Sequence, residues 1–391
     1  MQQECDVKNI GLRGIKVADT KISFIDGKNG ILIYRGYRIE ELVEKSTYEE
    51  TAFLLLKNRL PTYKELEEFK KKLSSYAALP IYIVDSMKLW PKEMRPMQAL
   101  MASVALIGEP EYRDYESLED QEDIAIGLIA VLPTAVAAWD RIRRGLEPIE
   151  PSDSLSYAEN FLYQLTGEIP DKEIARYFDQ CLILHAEHSF NASTFACREV
   201  VSTRAALYAG VLAGIAALSG PLHGGANEEV MKMLLDVKEE EDVEKWVRDR
   251  IEHGEKIMGM GHAVYKTEDP RAKFLKNIAI RLGSKKNEMI WYELLQRIER
   301  TATEIFTAKG KADIKPNVDF YSAPVYYLMG IPIDLFTPVF AISRVAGWCA
   351  HMLEEIFALA QPKPSLYRPS ADYVGHYCGL FGCEYKELNQ R

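Results

Sequence analysis

Ala205-Ala206-Leu207-Tyr208-Ala209-Gly210-Val211-Leu212-Ala213-Gly214-Ile215-Ala216-Ala217-Leu218-Ser219-Gly220-Pro221-Leu222 runs without a formal charge, and so does Ile124 to Trp139. Each approaches the roughly 20 apolar residues that a membrane span needs. The first, however, is rich in Ala, Gly and Ser, and the second is interrupted by Pro133. Both therefore read as core helices of a folded interior, not as membrane spans. Small residues let helix backbones approach closely, as a large helix–helix interface requires.

Working outward, nearly everything else has helical spacing too. Ile39, Leu42 and Val43 begin one helix. Ala52, Phe53, Leu55 and Leu56 mark another after Ser46-Thr47, and Pro61-Thr62 opens a charged helix from Tyr63 to Leu73. The exception lies near the start, where Lys21-Ile22-Ser23-Phe24-Ile25 and Ile31-Leu32-Ile33-Tyr34 flank Asp26-Gly27-Lys28-Asn29-Gly30. That is a hairpin signal. Strands do not alternate with helices, which argues against a doubly wound sheet. The predicted fold is all-α with a short N-terminal β-hairpin.

At 391 residues the chain is long for a single core, and two domains are expected. Its 58 acids against 48 bases give a net charge of −10. This balance disfavours nucleic acid and anionic membranes as partners, so an anionic ligand must find a local basic cluster. Met1-Gln2-Gln3-Glu4-Cys5-Asp6 has neither the basic end nor the apolar run of a signal peptide. Six scattered cysteines without a Cys-x-x-Cys pair suggest a reducing interior. The expected location is cytoplasmic.

Two histidines sit in glycine-rich turns, Gly220-Pro221-Leu222-His223-Gly224-Gly225 and Gly259-Met260-Gly261-His262. Glycine lets another molecule approach the main chain, and Asp319 in Pro316-Asn317-Val318-Asp319 offers a carboxylate. Two histidines and an acid outline a proton-handling site. His223 precedes a helical pattern starting near Asn227, whose positive end would keep the ring neutral. Structural roles are open for each: a turn-capping histidine, or an Asp319 that merely caps the next helix. Asp269-Pro270-Arg271 reads as a helix start, with a first-turn cation that a surface arginine tolerates. Arg344 is the only formal charge from Leu335 to Leu353, in a helix apolar nearly all round. Such a helix is buried, so an anion, whether a structural acid or a bound carboxylate, should meet this guanidinium. Cys181, His185 and His188 fall at i, i+4 and i+7, but no other cluster completes a metal site, and none is assigned.

Together these segments resemble the citrate synthase family over nearly the whole chain. The matching stretches are His185-Ala186-Glu187-His188 with Asn191-Ala192-Ser193-Thr194, the His223 turn, and Gly259 to Arg271. Asn317-Val318-Asp319, the Arg344 segment and Arg368-Pro369-Ser370-Ala371-Asp372-Tyr373 follow in the family's order. The resemblance implies a homodimer of the short form, with a large helical domain over 1–222, a small mobile domain over 223–322, and a return with a C-terminal arm over 323–391. It implies condensation of acetyl-CoA with oxaloacetate, then hydrolysis of citryl-CoA, with no metal or redox cofactor. By resemblance His223, His262 and Asp319 are catalytic. His188, His262, Arg271, Arg344 and Arg368 hold oxaloacetate, with Arg368 reaching the partner's site. Lys256, Ile257, Met258, Gly259, Met260 and Lys266 meet CoA.

Three features depart from the family pattern. Ser370 stands where a second basic residue is common, Gln361-Pro362-Lys363-Pro364-Ser365 looks longer than usual, and Arg95-Pro96-Met97 replaces a His-Pro-Met. The Arg-Pro-Ser stretch also resembles 2-methylcitrate synthases, which use propionyl-CoA. A noncatalytic CoA-binding relative is a further alternative, although such a relative should lose Asp319 or a histidine. Terminal segments in this family embrace the partner, which brings Cys5, Cys378 and Cys383 into consideration. Three reduced thiols are expected, against a Cys5–Cys383 bond that would close almost the whole chain.

Overall fold

The computed structural model describes residues 11–12, 14–108, 117–262 and 264–391, and helices dominate them. Strands β1 (Ser23–Asp26), β2 (Ile31–Tyr34) and β3 (Tyr37–Arg38) form one antiparallel sheet in that order. Phe24 pairs with Ile33, and Tyr34 with Tyr37. The first two strands are the predicted hairpin. The third went unpredicted because two residues are too few to show an alternation.

Helices α1 (Ile39–Lys45), α2 (Tyr48–Lys57), α3 (Tyr63–Tyr76), α4 (Ile81–Leu89) and α5 (Pro96–Ile107) follow. Next come α6 (Leu118–Arg143), α7 (Tyr157–Thr166), α8 (Lys172–His185), α9 (Ala192–Ser202) and α10 (Leu207–Leu218). The chain continues through α11 (Ala226–Lys238), α12 (Val243–Glu252), α13 (Ala272–Lys286) and α14 (Ile290–Ala308). It ends its helical part with α15 (Val318–Leu328) and α16 (Phe336–Ile356). Helices α2 and α3 start where their caps predict. Thr47 accepts from the Glu50 amide, and Thr62 forms a reciprocal capping box with Glu65.

The two uncharged runs are interior. Helix α10 packs against α5, α6, α9 and α16. It can do so because Gly214 bears no side chain: a Cβ there would lie 2.5 Å from the Cys197 sulfur and 3.1 Å from the Trp348 ring. The helical run is shorter than the uncharged one, since Gly220 to Leu222 turn away from it. Helix α6 and the Ile333–Ile356 stretch are long and apolar enough to cross a membrane, yet both are mostly buried inside the fold. Between His223 and Ser322 the chain forms α11 to α14 and the first part of α15. There α12 lies on α14, and both α11 and α13 lie on α15.

The C-terminal segment corrects the expectation of reduced thiols. Cys378 and Cys383 are disulfide-bonded, with Cα atoms 4.9 Å apart, across a turn in which Gly379 and Gly382 take φ of 90° and 76°. Those left-handed glycines fold the two ends together, a local geometry that scattered-cysteine reasoning ignored. The pairing uses the sulfur that a Cys5–Cys383 bond would need. Cys5 itself lies outside the described residues. Cys181, Cys197 and Cys349 are buried free thiols.

Candidate active site

Helix α8 ends at His185, and the next residues carry His188 out of the helix toward Tyr265, 3.2 Å from ring nitrogen to hydroxyl. His185 instead turns its Nδ1 to the Cys181 carbonyl at 2.7 Å. The i, i+4, i+7 face is therefore not built, because the helix stops first. Asn191 then caps α9, accepting from the Thr194 amide at 3.1 Å, with its Oδ1 2.7 Å from the Ser193 hydroxyl oxygen.

Ser193 fixes the proton of His223. Its backbone N–H points at His223 Nε2 from 3.2 Å, and its hydroxyl lies 2.8 Å from the same nitrogen. A backbone amide can only donate, so Nε2 accepts and the ring proton sits on Nδ1. Burial, with the Arg344 cation adding to it, pushes the ring down to about 4. His223 thus presents a neutral N–H donor.

His262 is fixed in the opposite tautomer. The amides of Val264 and Tyr265 both donate to its Nδ1, at 2.9 and 3.2 Å, which leaves the proton on Nε2. That nitrogen stands 3.9 Å from the Asp269 carboxylate. Burial and then Arg271 push the ring down to about 4, against the opposing pull of Asp269. The rings of His262, His188 and Tyr265 lie together, with centroids 4.7 to 5.7 Å apart.

Asp319 is held by a backbone clip. Gly259 and Gly261 adopt φ of 79° and 93°, and a Cβ on Gly259 would come within 2.8 Å of Phe320 and Val230. The turn they make bonds to a segment more than fifty positions on. The Gly261 amide donates to the Lys315 carbonyl at 2.8 Å, and the Asn317 amide to the Gly259 carbonyl at 2.9 Å. Asn317 also caps α15, its side chain accepting from the Asp319 amide at 3.0 Å. The cap is Asn317 and not Asp319, so the Asp319 carboxylate is spared. Among the described residues no hydrogen bond reaches its oxygens. Burial raises it to about 6, although Arg271 and Arg344 favour its charged form.

The arginines differ from their sequence reading in one respect. Arg271 is buried, not superficial. It forms a bidentate pair with Asp269, at 2.9 and 2.7 Å, and occupies the N-cap position of α13 without a side-chain cap bond, so the helix starts at Ala272 and not at Pro270. Asp269 also accepts the Arg271 amide, so the pair compensates the cation at the helix start. Arg344 is buried as predicted. Its Nε donates to the His185 carbonyl at 2.5 Å, and its guanidinium lies 4.6 Å from the Phe340 ring centre. Among the described residues no carboxylate pairs with it, and burial pulls its proton affinity down to about 10. A local positive field thus exists within an acidic chain.

The remaining predicted residues lie around this centre. Ile257 is buried, while Lys256 and Lys266 are exposed. Met258 is half-buried and Met260 makes a β-bridge to Pro316, so the 256–260 backbone runs beside the clip. Lys266 Nζ is 3.4 Å from Asp313, and its amide donates to the hairpin carbonyl of Gly27. Arg368 stands exposed on the C-terminal segment, bonded to the Pro369 carbonyl and to none of the histidines or arginines above. Sequence reasoning gave no individual role to Tyr265, Ser193 or Asn317, and read Asp269 only as a helix cap. Only proximity to a glycine-flanked histidine could have singled out the first.

Comparison with known proteins finds relatives along nearly the whole chain. Residues 11–370 match the family described as "Citrate synthase, C-terminal domain". "Citrate synthase 2" of Bacillus subtilis is 46% identical over 367 residues, covering 93% of this chain and 95% of that protein. A "2-methylcitrate synthase" of Mycobacterium tuberculosis is 38% identical, covering 95% of this chain and 91% of that protein. A solved structure of citrate synthase from Thermoplasma acidophilum, in ternary complex with carboxymethyl coenzyme A and oxaloacetate, superposes with a TM-score of 0.89. It is 34% identical and covers 97% of this chain and 98% of its own.

Proposed function

We propose a catalytic cycle from one premise: this chain belongs to the citrate synthase family. Its activity is that of a citrate synthase, an acyltransferase that joins acetyl-CoA to oxaloacetate and hydrolyses citryl-CoA to citrate and CoA. Asp319 takes a proton from the acetyl methyl group. His223 Nδ1–H donates to the thioester oxygen as the enol(ate) develops. Its nucleophilic carbon then attacks the ketone of oxaloacetate, whose oxygen receives the His262 Nε2–H hydrogen bond. Water finally cleaves the thioester. Each preorganised donor of this kind contributes about 2.7–4 kcal/mol to the transition state. Every step runs through side chains, so the reading calls for neither a metal nor a redox cofactor.

The observation that carries the reading is the pair of opposite tautomers. Backbone amides lock one ring proton on His223 Nδ1 and the other on His262 Nε2, beside an unpaired carboxylate raised to about 6. Two neutral donors and one base are what enolisation and carbonyl attack require. Arg344 and Arg271, with His188, would take the oxaloacetate carboxylates. The 256–260 backbone and Lys266 would receive CoA.

The dimer belongs to the same proposal. Ile81, Leu89 and Leu106 on α4 and α5, and Leu222 after α10, are exposed on elements that touch one another. A second copy covering that apolar surface would let Arg368 reach the partner's site. Residues 223–322 would form a small domain that closes over oxaloacetate, in a cytoplasmic enzyme. Acetyl-CoA is the favoured donor, since the 46% identical relative is a citrate synthase and the 2-methylcitrate synthase is more distant.

The test is Asp319→Asn, assayed by thiol release with acetyl-CoA and with propionyl-CoA. Loss of the base should lower kcat by about 10²–10⁴-fold, with oxaloacetate affinity retained by calorimetry. Near-normal kcat would remove Asp319 from the chemistry. A preference of the unaltered protein for propionyl-CoA would overturn the choice of donor.

A further inference from the structure

Behind the site lies a buried ionic chain that no step of the cycle uses. Glu187 immediately precedes His188, and its Oε1 accepts from the Ser23 hydroxyl at 2.8 Å and from the Ser189 amide. The same oxygen is 3.0 Å from His351 Nε2. On the far side of that ring, His351 Nδ1 is 3.2 Å from Arg198 Nη1. A guanidinium can only donate, so Nδ1 accepts and the His351 proton lies on Nε2, aimed at Glu187. Every link in this segment has a direction.

Arg198 continues the chain. Its Nη1 donates to Glu354 at 2.9 Å, and its Nε and Nη2 donate to Glu355 at 3.0 and 2.6 Å. The Phe190 ring covers the guanidinium from 4.7 Å and stands edge-on to His351. Glu355 Oε2 then accepts the Tyr367 hydroxyl at 2.7 Å. Tyr367 is further held by Ser202 Oγ, which accepts its amide at 3.3 Å, and by the Phe195 ring. The next residue is Arg368. One end of the chain therefore holds the loop bearing His188, and the other holds the start of the arm bearing Arg368.

Apolar residues of similar volume would fill this space at no loss of stability, because burying charges offsets most of what their pairing returns. A directed polar chain instead fixes where its two ends sit. We infer that Glu187, His351, Arg198 and Glu355 are positioning residues of one relay, which sets the arm carrying Arg368 in register with the protomer's own His188 loop. The inference rests on the reading of His188 and Arg368 as oxaloacetate ligands. Under it, a protomer's own binding loop and the residue it lends to its partner share one buried support.

Tyr367→Phe removes a single hydroxyl at the half-buried end of the relay and should leave the fold intact. The expected result is a rise in KM for oxaloacetate of roughly three- to tenfold, with kcat and the KM for acetyl-CoA within about twofold of their original values. The thermal midpoint should move by no more than about 2 °C. His351→Gln, which keeps a donor and an acceptor, should retain oxaloacetate KM better than His351→Leu. In the His351→Leu background, Tyr367→Phe should add less than about a further twofold. An unchanged oxaloacetate KM in Tyr367→Phe, or full additivity of the two changes, would overturn the relay. Arg368→Ala, assayed alongside, separates the two failures. If it leaves oxaloacetate KM unchanged, the ligand reading is wrong. If it raises that KM while Tyr367→Phe is silent, only the relay falls.

Discussion

Arg198 and Arg344 are both fully enclosed, at 0% and 1% exposure, yet their surroundings are opposite. Arg198 is clasped by Glu354 and Glu355, and although burial works against its charge, Tyr367 and these acids hold its proton above the usual range. Arg344 has a carbonyl and an aromatic face but, among the described residues, no carboxylate, and burial pulls it down to about 10. A buried cation with its anions in place is structural. A buried cation without one is an unfilled half of a pair, and here the proposed missing half is a carboxylate of oxaloacetate. Arg271 stands between them, paired with Asp269 while still acting on His262 and Asp319.

Crossed substitutions break the comparison most directly. Arg198→Leu leaves two buried glutamates without their cation and should destabilise the fold by about 3–5 kcal/mol, read by denaturant unfolding. A loss below about 1 kcal/mol would mean that the glutamates are relieved by protonation or water, not held by Arg198. Arg344→Leu should do the reverse. Its unfolding free energy should stay level or rise, while oxaloacetate binding weakens by about 2–4 kcal/mol in calorimetry and CoA binding is largely kept. Intact oxaloacetate affinity would show that the unpaired cation waits for something else.

A smaller effect sharpens the contrast through Asp319. The working form is the carboxylate, and its proton leaves at about 6, so kcat should fall with decreasing pH by about tenfold per unit below that value. His223 and His262, pushed down to about 4, remain neutral across this limb and do not set it. In Arg344→Leu the limb should move upward, because a cation favouring the carboxylate is gone. A pH profile whose midpoint stays fixed would show that Arg344 does not share the field of Asp319.

How much of this was legible in the sequence follows from the range of each interaction. The capped helices were legible because Thr62 and Glu65 are neighbours, as were the glycine turns around His223 and His262. Arg344 could be read as buried because a lone charge in an apolar helix is itself a pattern. The hidden parts are pairings over distance. Ser193 meets His223 across 30 positions, and Arg198 meets Glu355 across 157. Nothing local said that Arg198, in an ordinary helical segment, would be enclosed and Arg344 left unpaired. Asp319 shows a subtler limit: either it or Asn317 could have capped α15, and only the structure shows which carboxylate or amide was used.

The clip joining Gly259 and Gly261 to Lys315 and Asn317 turns the intervening chain into an excursion. His262 and Asp319 sit at its two feet, so their separation is set by a few backbone hydrogen bonds and not by the length of what lies between. Helices α13 and α14 are joined by an exposed bend over Asn287–Met289, near the middle of that excursion in sequence. The bend is therefore where this chain can be lengthened, cut and rejoined, or fused to another domain while the two reacting groups keep their spacing.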